Sequence, residues 1–247
     1  MGSISKAFSY SIGRKLIMGL TGLFLISFLP VHLAGNLLLF KGPTAFNEYA
    51  EFMGTNPIIR VMEIVLFAGF IFHIVDGIWL AVKNRKARPV RYAVDGGSKN
   101  APLFSRIMPH TGIILLVFLI LHLMSFFVHA RFGVDVPYEG IAPTVYDNAW
   151  NAENAASIGL NAGETFSIYH KTVAVFSVPW YAIFYVVAMA VIAFHLLHGF
   201  QSAFQTLGIR HKKYTPHIKA LGIGYSILVP AGFAAIPIYF LVNNPLV

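Results

Sequence analysis

The chain has 247 residues, 57% hydrophobic and only 11% charged, with a mean hydropathy of +0.68. Soluble domains carry about 25% charged residues, so this composition excludes an ordinary soluble globular protein, and its apolarity equally excludes a disordered one. The excess of 18 Lys and Arg over 10 Asp and Glu needs no nucleic-acid partner, because in a membrane protein such an excess gathers on the cytoplasmic side. The absence of cysteine removes disulfides, Cys-held iron–sulfur clusters and Cys-attached haem from this chain.

A membrane-spanning helix needs about 20 mostly apolar residues. Five stretches qualify: 15–40, 58–82, 107–130, 173–200 and 219–241. The first is too long for the apolar core of a secretion signal, and Pro30, His32 and Asn36 interrupt it where a cleavage site would be sought. Backbone polar groups must be satisfied inside lipid, so these spans are helices. No ten-residue alternation of the membrane-barrel kind is present. The expected architecture is an all-α integral membrane protein with five transmembrane helices, forming a single membrane domain over 1–247.

Cations set the expected orientation. Fourteen of the 18 lie at the N-terminus and in the loops 83–106 and 201–219, and four (Lys41, Arg60, Arg131 and Lys171) lie on the other side. The positive-inside rule then predicts a cytoplasmic N-terminus and an outer C-terminus. The connection 131–171 is expected to be an outer loop, acidic through Asp135, Glu139, Asp147, Glu153 and Glu164, with room for a short surface helix.

Ten histidines stand out in so apolar a chain. His32, His73, His122 and His195 fall within spans one to four, one per helix. Each alone could simply hydrogen-bond a neighbouring helix, but ionisable groups inside spans are costly and point to function. At 1.5 Å per residue, His32 lies roughly 25 Å and His122 roughly 22 Å from the inner ends of their spans, while His73 lies roughly 22 Å from the outer end of its own. His195 is late in the inward-running fourth span. The four therefore sort into an outer pair, His32 with His122, and an inner pair, His73 with His195. The pairs are roughly 14 Å apart in a core about 30 Å thick. Two bis-histidine haems stacked across the membrane, with the first four helices bundled around them, fit this layout.

An internal repeat accompanies the pairing. Thr21-Gly22 precedes His32-Leu33 by nine intervening residues, and Thr111-Gly112 precedes His122-Leu123 by the same nine; His73 and His195 are each followed four residues later by glycine, Gly77 and Gly199. These four glycines either clear a path for a porphyrin or pack helices closely; Gly22 and Gly112, ten residues or about 15 Å below the histidine of their own span, lie near the depth of the inner pair. His198 is the rival to His195 and lacks a counterpart in span two. His110, His129, His170, His211 and His217 sit at span ends or in loops. Arg14, Lys15, Arg106 and His110 gather at the inner surface, where they could hold anionic haem propionates or be an ordinary positive-inside cluster.

The run from His32 (HLAGNLLLF) through Phe46-Asn47, Phe52-Met53 and Glu63 to FHIVDG at 72–77, together with HLLHGFQSAFQTLG at 195–208, resembles the membrane cytochrome b subunit of succinate:quinone oxidoreductases. The likeness covers all five spans and is to the dihaem, single-anchor type of menaquinone-using bacteria. The resemblance implies a multi-pass anchor in the bacterial cytoplasmic membrane. It would carry two haem b groups and dock an iron–sulfur subunit and an FAD-binding subunit. Electrons from succinate would pass to menaquinone, with the succinate-oxidising site on another chain. It also implies His32 with His122 on the outer haem and His73 with His195 on the inner one. Family members can carry an acid near the outer start of span two. Gly54 aligns with it here, leaving Glu51 and Glu63 as nearby quinone-site candidates; Glu48 and Glu51 otherwise suit a solvated connecting helix. Asp76 could orient a ligand or a water, or face the inner interface.

The competing readings are a fumarate reductase anchor running in reverse, the cytochrome b anchor of another respiratory dehydrogenase, and a transporter using histidines as proton relays. One ligand histidine per span argues against the respiratory cytochrome with two per helix. The scarcity of other intramembrane charges argues against a solute pathway.

Overall fold

The computed structural model describes residues 11–87, 103–132 and 168–243. Lys6, Arg88, Arg91 and Lys99, counted above as inner cations, and the five acids of the outer loop lie outside the described residues. All regular structure among the described residues is helical: α1 Ser11–Asn36, a 3-10 turn Leu37–Lys41, α2 Pro43–Thr55, α3 Pro57–Lys86, α4 Leu103–His122, a π-helical stretch Leu123–Val128, α5 His129–Phe132, α6 Ile168–Ser177, α7 Pro179–Thr206 and α8 Thr215–Val242.

Five helices are long and apolar enough to cross a membrane: Ile12–Lys41, Pro57–Lys86, Leu103–Phe132, Pro179–Thr206 and Thr215–Val242. The chain itself buries at most a third of the most apolar window of any of them. Ile12, Ile64, Ile113 and Leu228 are among the exposed apolar side chains. In water such a surface would be a liability; it suits a multi-pass membrane protein whose remaining solvent is lipid.

The fourth span departs from its expected bounds. Residues 173–177 belong to α6, and the spanning helix starts at Pro179. Pro179 has no N–H to extend a preceding helix, and its ring disfavours a helical conformation at Val178. Proline is at home as the first residue of the next helix, where the Tyr181 and Ala182 amides donate to the Val178 carbonyl at 3.1 and 3.0 Å. The last residues of the connection 131–171, from 168 on, are helical and belong to α6.

Local sequence explains the other joints. Gly42 adopts φ +99° between the 3-10 turn and α2, a backbone that side chains with a Cβ rarely tolerate. The Asn56 side-chain oxygen accepts from the Ile58 amide at 2.9 Å and, ahead of Pro57, caps α3. Pro30 inside α1 cannot donate to the Ile26 carbonyl. The Tyr225 hydroxyl of α8 donates to that oxygen at 2.5 Å, so a polar atom that lipid could not satisfy is paired within the protein.

The chain divides into two compact units, one of residues 1–30, 62–116 and 191–228 and one of residues 31–61, 117–190 and 229–247. No span lies wholly in one unit; each contributes a stretch to both. In the first unit, close approaches such as Gly222 against the Phe200 ring pack the helices. In the second, α2 folds back so that Tyr49 occupies the space where Gly35 lacks a side chain, and the Asn47 side-chain oxygen accepts from the Tyr169 amide of α6 at 3.2 Å.

Candidate functional site: two facing histidine pairs

The first unit brings His73 of α3 and His195 of α7 together, with ring centroids 6.3 Å apart and planes at 69°. His198, the rival, is half-buried three residues further on and is not the ring that faces His73. Each histidine of the pair has a threonine beside its Nδ1. Thr21 Oγ1 lies 3.3 Å from His73 Nδ1, and Thr111 Oγ1 lies 3.1 Å from His195 Nδ1. The neighbouring glycines complete the contact. A Cβ on Gly22 would sit 3.5 Å from Cε1 of His73, and one on Gly112 would sit 4.0 Å from Cε1 of His195. The Thr-Gly repeat, found in sequence on the helices of His32 and His122, thus serves the histidines of the following spans.

Asp76, one helical turn beyond His73, is only 4% exposed. Its carboxylate accepts from the Arg14 guanidinium at 2.6 Å. Arg14 also lies 4.5 Å over the Trp79 ring, which Lys83 covers at 4.5 Å as well. Asp76 is therefore occupied in neutralising Arg14, and Arg14 is held in an ion pair rather than standing open. Lys15, Arg106 and His110, the other proposed propionate contacts, are exposed. A Cβ at Gly77 would meet the Met18 methyl at 3.4 Å, and one at Gly199 would meet nothing within 4 Å.

The second unit brings His32 of α1 and His122 of α4 together, with centroids 5.9 Å apart and planes at 86°. Its surroundings differ. Phe118 stacks on His122 at 5.6 Å, Phe126 lies at 5.4 Å, and Phe233 of α8 lies 5.5 Å from His32. Tyr185 Oη is 3.3 Å from Nδ1 of His122, and the Asn36 amide nitrogen is 3.4 Å from Nδ1 of His32. The π-helical stretch begins immediately after His122. Its buried Ser125 donates to the Leu121 carbonyl at 2.9 Å and shares a hydrogen bond with Tyr181. Such wider turns recur at functional sites because they re-aim side chains.

The remaining candidates are scattered. Glu48 and Glu51 are exposed on α2, and Glu63 is half-buried on α3. Gly54 presents its carbonyl to Arg131 at a long 3.5 Å. His129, His170 and Lys171 are buried in α5 and α6. His170 lies outside the spans, and burial pushes its pKa down to about 4.

The pairs fit the iron of a haem. A metal–imidazole bond is about 2.0 Å long and a ring centroid lies about 1.1 Å behind its nitrogen, so two rings on opposite sides of one metal have centroids about 6.2 Å apart. The observed separations, 6.3 and 5.9 Å, match this. Among the described residues, no group of three or more His, Cys, Asp or Glu is placed to hold a bare metal ion. Two imidazoles suffice only where other donors, such as four porphyrin nitrogens, complete the coordination.

Sequence reasoning missed Tyr185, Phe118, Phe126 and Phe233 as neighbours of the histidines. Nothing in the sequence distinguishes these four among the chain's 22 Phe and 11 Tyr. The sequence places Gly22 and Gly112 near the depth of the inner pair, but does not say which imidazole each of them meets. No family model, curated protein or solved structure matches the chain.

Proposed function

We propose that this chain is the membrane-anchor cytochrome b subunit of a succinate dehydrogenase, binding two haem b groups and passing electrons from an iron–sulfur subunit to menaquinone. The observation that carries the haem reading is the two facing histidine pairs, one in each compact unit. The assignment to succinate:quinone oxidoreductase rests on the sequence resemblance. With it come a cytoplasmic N-terminus in the bacterial inner membrane and docking of the iron–sulfur and FAD-binding subunits on the basic face.

His32 with His122 would hold one haem, and His73 with His195 the other. The bound groups supply one-electron iron couples. The chain's own part is to fix the imidazoles, exclude water and tune the surroundings. Phe118, Phe126 and Phe233 keep the His32–His122 pair in an apolar setting. The Arg14–Asp76 pair places a neutralised charge couple one turn from His73. Menaquinone reduction consumes two protons; Glu63, half-buried, is better shielded for that transfer than the exposed Glu51.

Membranes containing the chain should show a dithionite-reduced b-type spectrum with two haems per chain. Co-purification of a flavoprotein and a three-cluster iron–sulfur protein checks the enzyme class. Absence of haem would sink the cytochrome reading, and partners of another dehydrogenase would move the chain to a different cytochrome b anchor. The same arrangement serves fumarate reduction in reverse, and steady-state rates in the two directions distinguish them.

A further inference from the structure

We infer that Thr21 and Thr111 are positioning residues that lock His73 and His195 in the Nδ1–H tautomer, so that both Nε2 lone pairs are presented as ligands. The inference rests on the haem reading above, and goes beyond it in explaining why one pair is ready to bind.

A threonine hydroxyl has one proton to donate and lone pairs to accept with. Thr21 Oγ1 lies 2.8 Å from the Ile17 carbonyl and 3.2 Å from the Met18 carbonyl. Thr111 Oγ1 lies 3.0 Å from the Met108 carbonyl. A carbonyl can only accept, so each hydroxyl proton is directed back into its own helix, as helical threonines favour. Toward the histidine each oxygen then has only a lone pair left. The proton shared at 3.3 Å with His73 and at 3.1 Å with His195 must sit on the imidazole Nδ1. In a neutral imidazole the other nitrogen is then bare.

Gly22 and Gly112 support the same arrangement. Each leaves the space in which the Cε1 edge of its histidine lies. Threonine and glycine together hold the Nδ1–Cε1 edge, and neither touches the Nε2 corner. Two neighbours in sequence, repeated on two helices, do the same task for two histidines. A purely structural Thr-Gly step would have no reason to meet a histidine both times. Bonding from Nδ1–H to an acceptor also raises ligand basicity, which favours the oxidised iron and lowers its potential.

The test compares wild type with Thr21→Val, Thr111→Val, Thr21→Ser and Thr111→Ser in intact membranes and in the purified complex. Each haem is followed by its low-spin electron paramagnetic resonance signal and by redox titration. Each Val variant should shift one haem, that of His73 and His195, to a more positive midpoint or lose it, while the other haem stays unchanged as the internal reference. Each Ser variant should restore wild-type values. Val variants with both haems at wild-type signals and midpoints would overturn the inference while leaving the haem reading intact. Equal changes in both haems, or failure of Ser to restore, would also overturn it, because they indicate general packing. A Val variant that does not accumulate transfers the decision to Ser, whose wild-type midpoint supports the lock and whose altered midpoint refutes it. Wild type without haem would remove the haem reading itself.

Discussion

The two histidine pairs have nearly the same ring separation and are held by different means. Around His73 and His195 the partners are hydroxyls whose protons are already committed to backbone carbonyls. Around His32 and His122 they are a tyrosine hydroxyl and an amide nitrogen, at 3.3 and 3.4 Å, within an aromatic box. A phenol can donate or accept, and the Asn36 amide nitrogen already donates to the His32 carbonyl at 2.8 Å, so neither neighbour dictates a tautomer. One pair is organised by directional hydrogen bonds, the other chiefly by shape. Equal geometry therefore does not mean equal tuning. The unit with the threonine relay should respond to loss of single polar atoms, whereas the aromatic unit should respond to loss of volume.

The largest effect expected is all-or-none. His73→Ala or His195→Ala should remove one haem, and His32→Ala or His122→Ala the other, read as halved haem content with one surviving low-spin signal. If all four variants keep both haems, the comparison itself collapses. Next comes the ion pair of the first unit. Asp76→Ala would strand Arg14 beside Trp79, and with the Arg14 side chain 32% exposed the cost should be about 1–3 kcal/mol. It should appear as lower thermal stability in detergent, with the His73–His195 signal perturbed and the other spared.

A pH effect should mark the second unit, which contains His170. Its pKa in the folded chain is held down to about 4, against an ordinary value near 6.5. Between these values the unfolded chain binds a proton that the folded one refuses. Stability is thus flat above about pH 6.5 and declines as the pH falls toward 4. Acid titration in detergent should release the His32–His122 haem first, and His170→Gln should flatten that dependence. The smallest effect belongs to Tyr185→Phe. It removes one hydrogen bond to His122 while keeping the ring, costs about 1 kcal/mol, and should shift that haem's potential less than Thr21→Val shifts its counterpart. A larger shift would show that hydrogen bonding rather than shape governs this pair.

Much of this was legible in one dimension. Apolar length marks the five spans, and counting 1.5 Å per residue brings His32 level with His122 and His73 level with His195. The joint at Pro179 was readable too, since proline stops what precedes it, but the apolar run across 173–200 masked it. Burial of His170 and Lys171 was not legible, because a polar stretch beside a long loop looks the same whether a neighbouring helix covers it or not. Arg14 likewise looked like one more inner cation until Asp76 was found beside it.

The sequence by itself determined how many helices are long and apolar enough to span a membrane, which histidines lie within them and at what depth along each helix. Those properties depend on distance along the chain and on the cost of polar groups in lipid. Only the tertiary structure decided which side chain meets each imidazole. That depends on how every helix is rotated about its own axis, and in α3, where apolar residues run all round the helix, no amphipathic face reports the rotation. The Thr-Gly repeat could be counted from the sequence; that it grips the histidines of the following spans became visible only when the helices were packed.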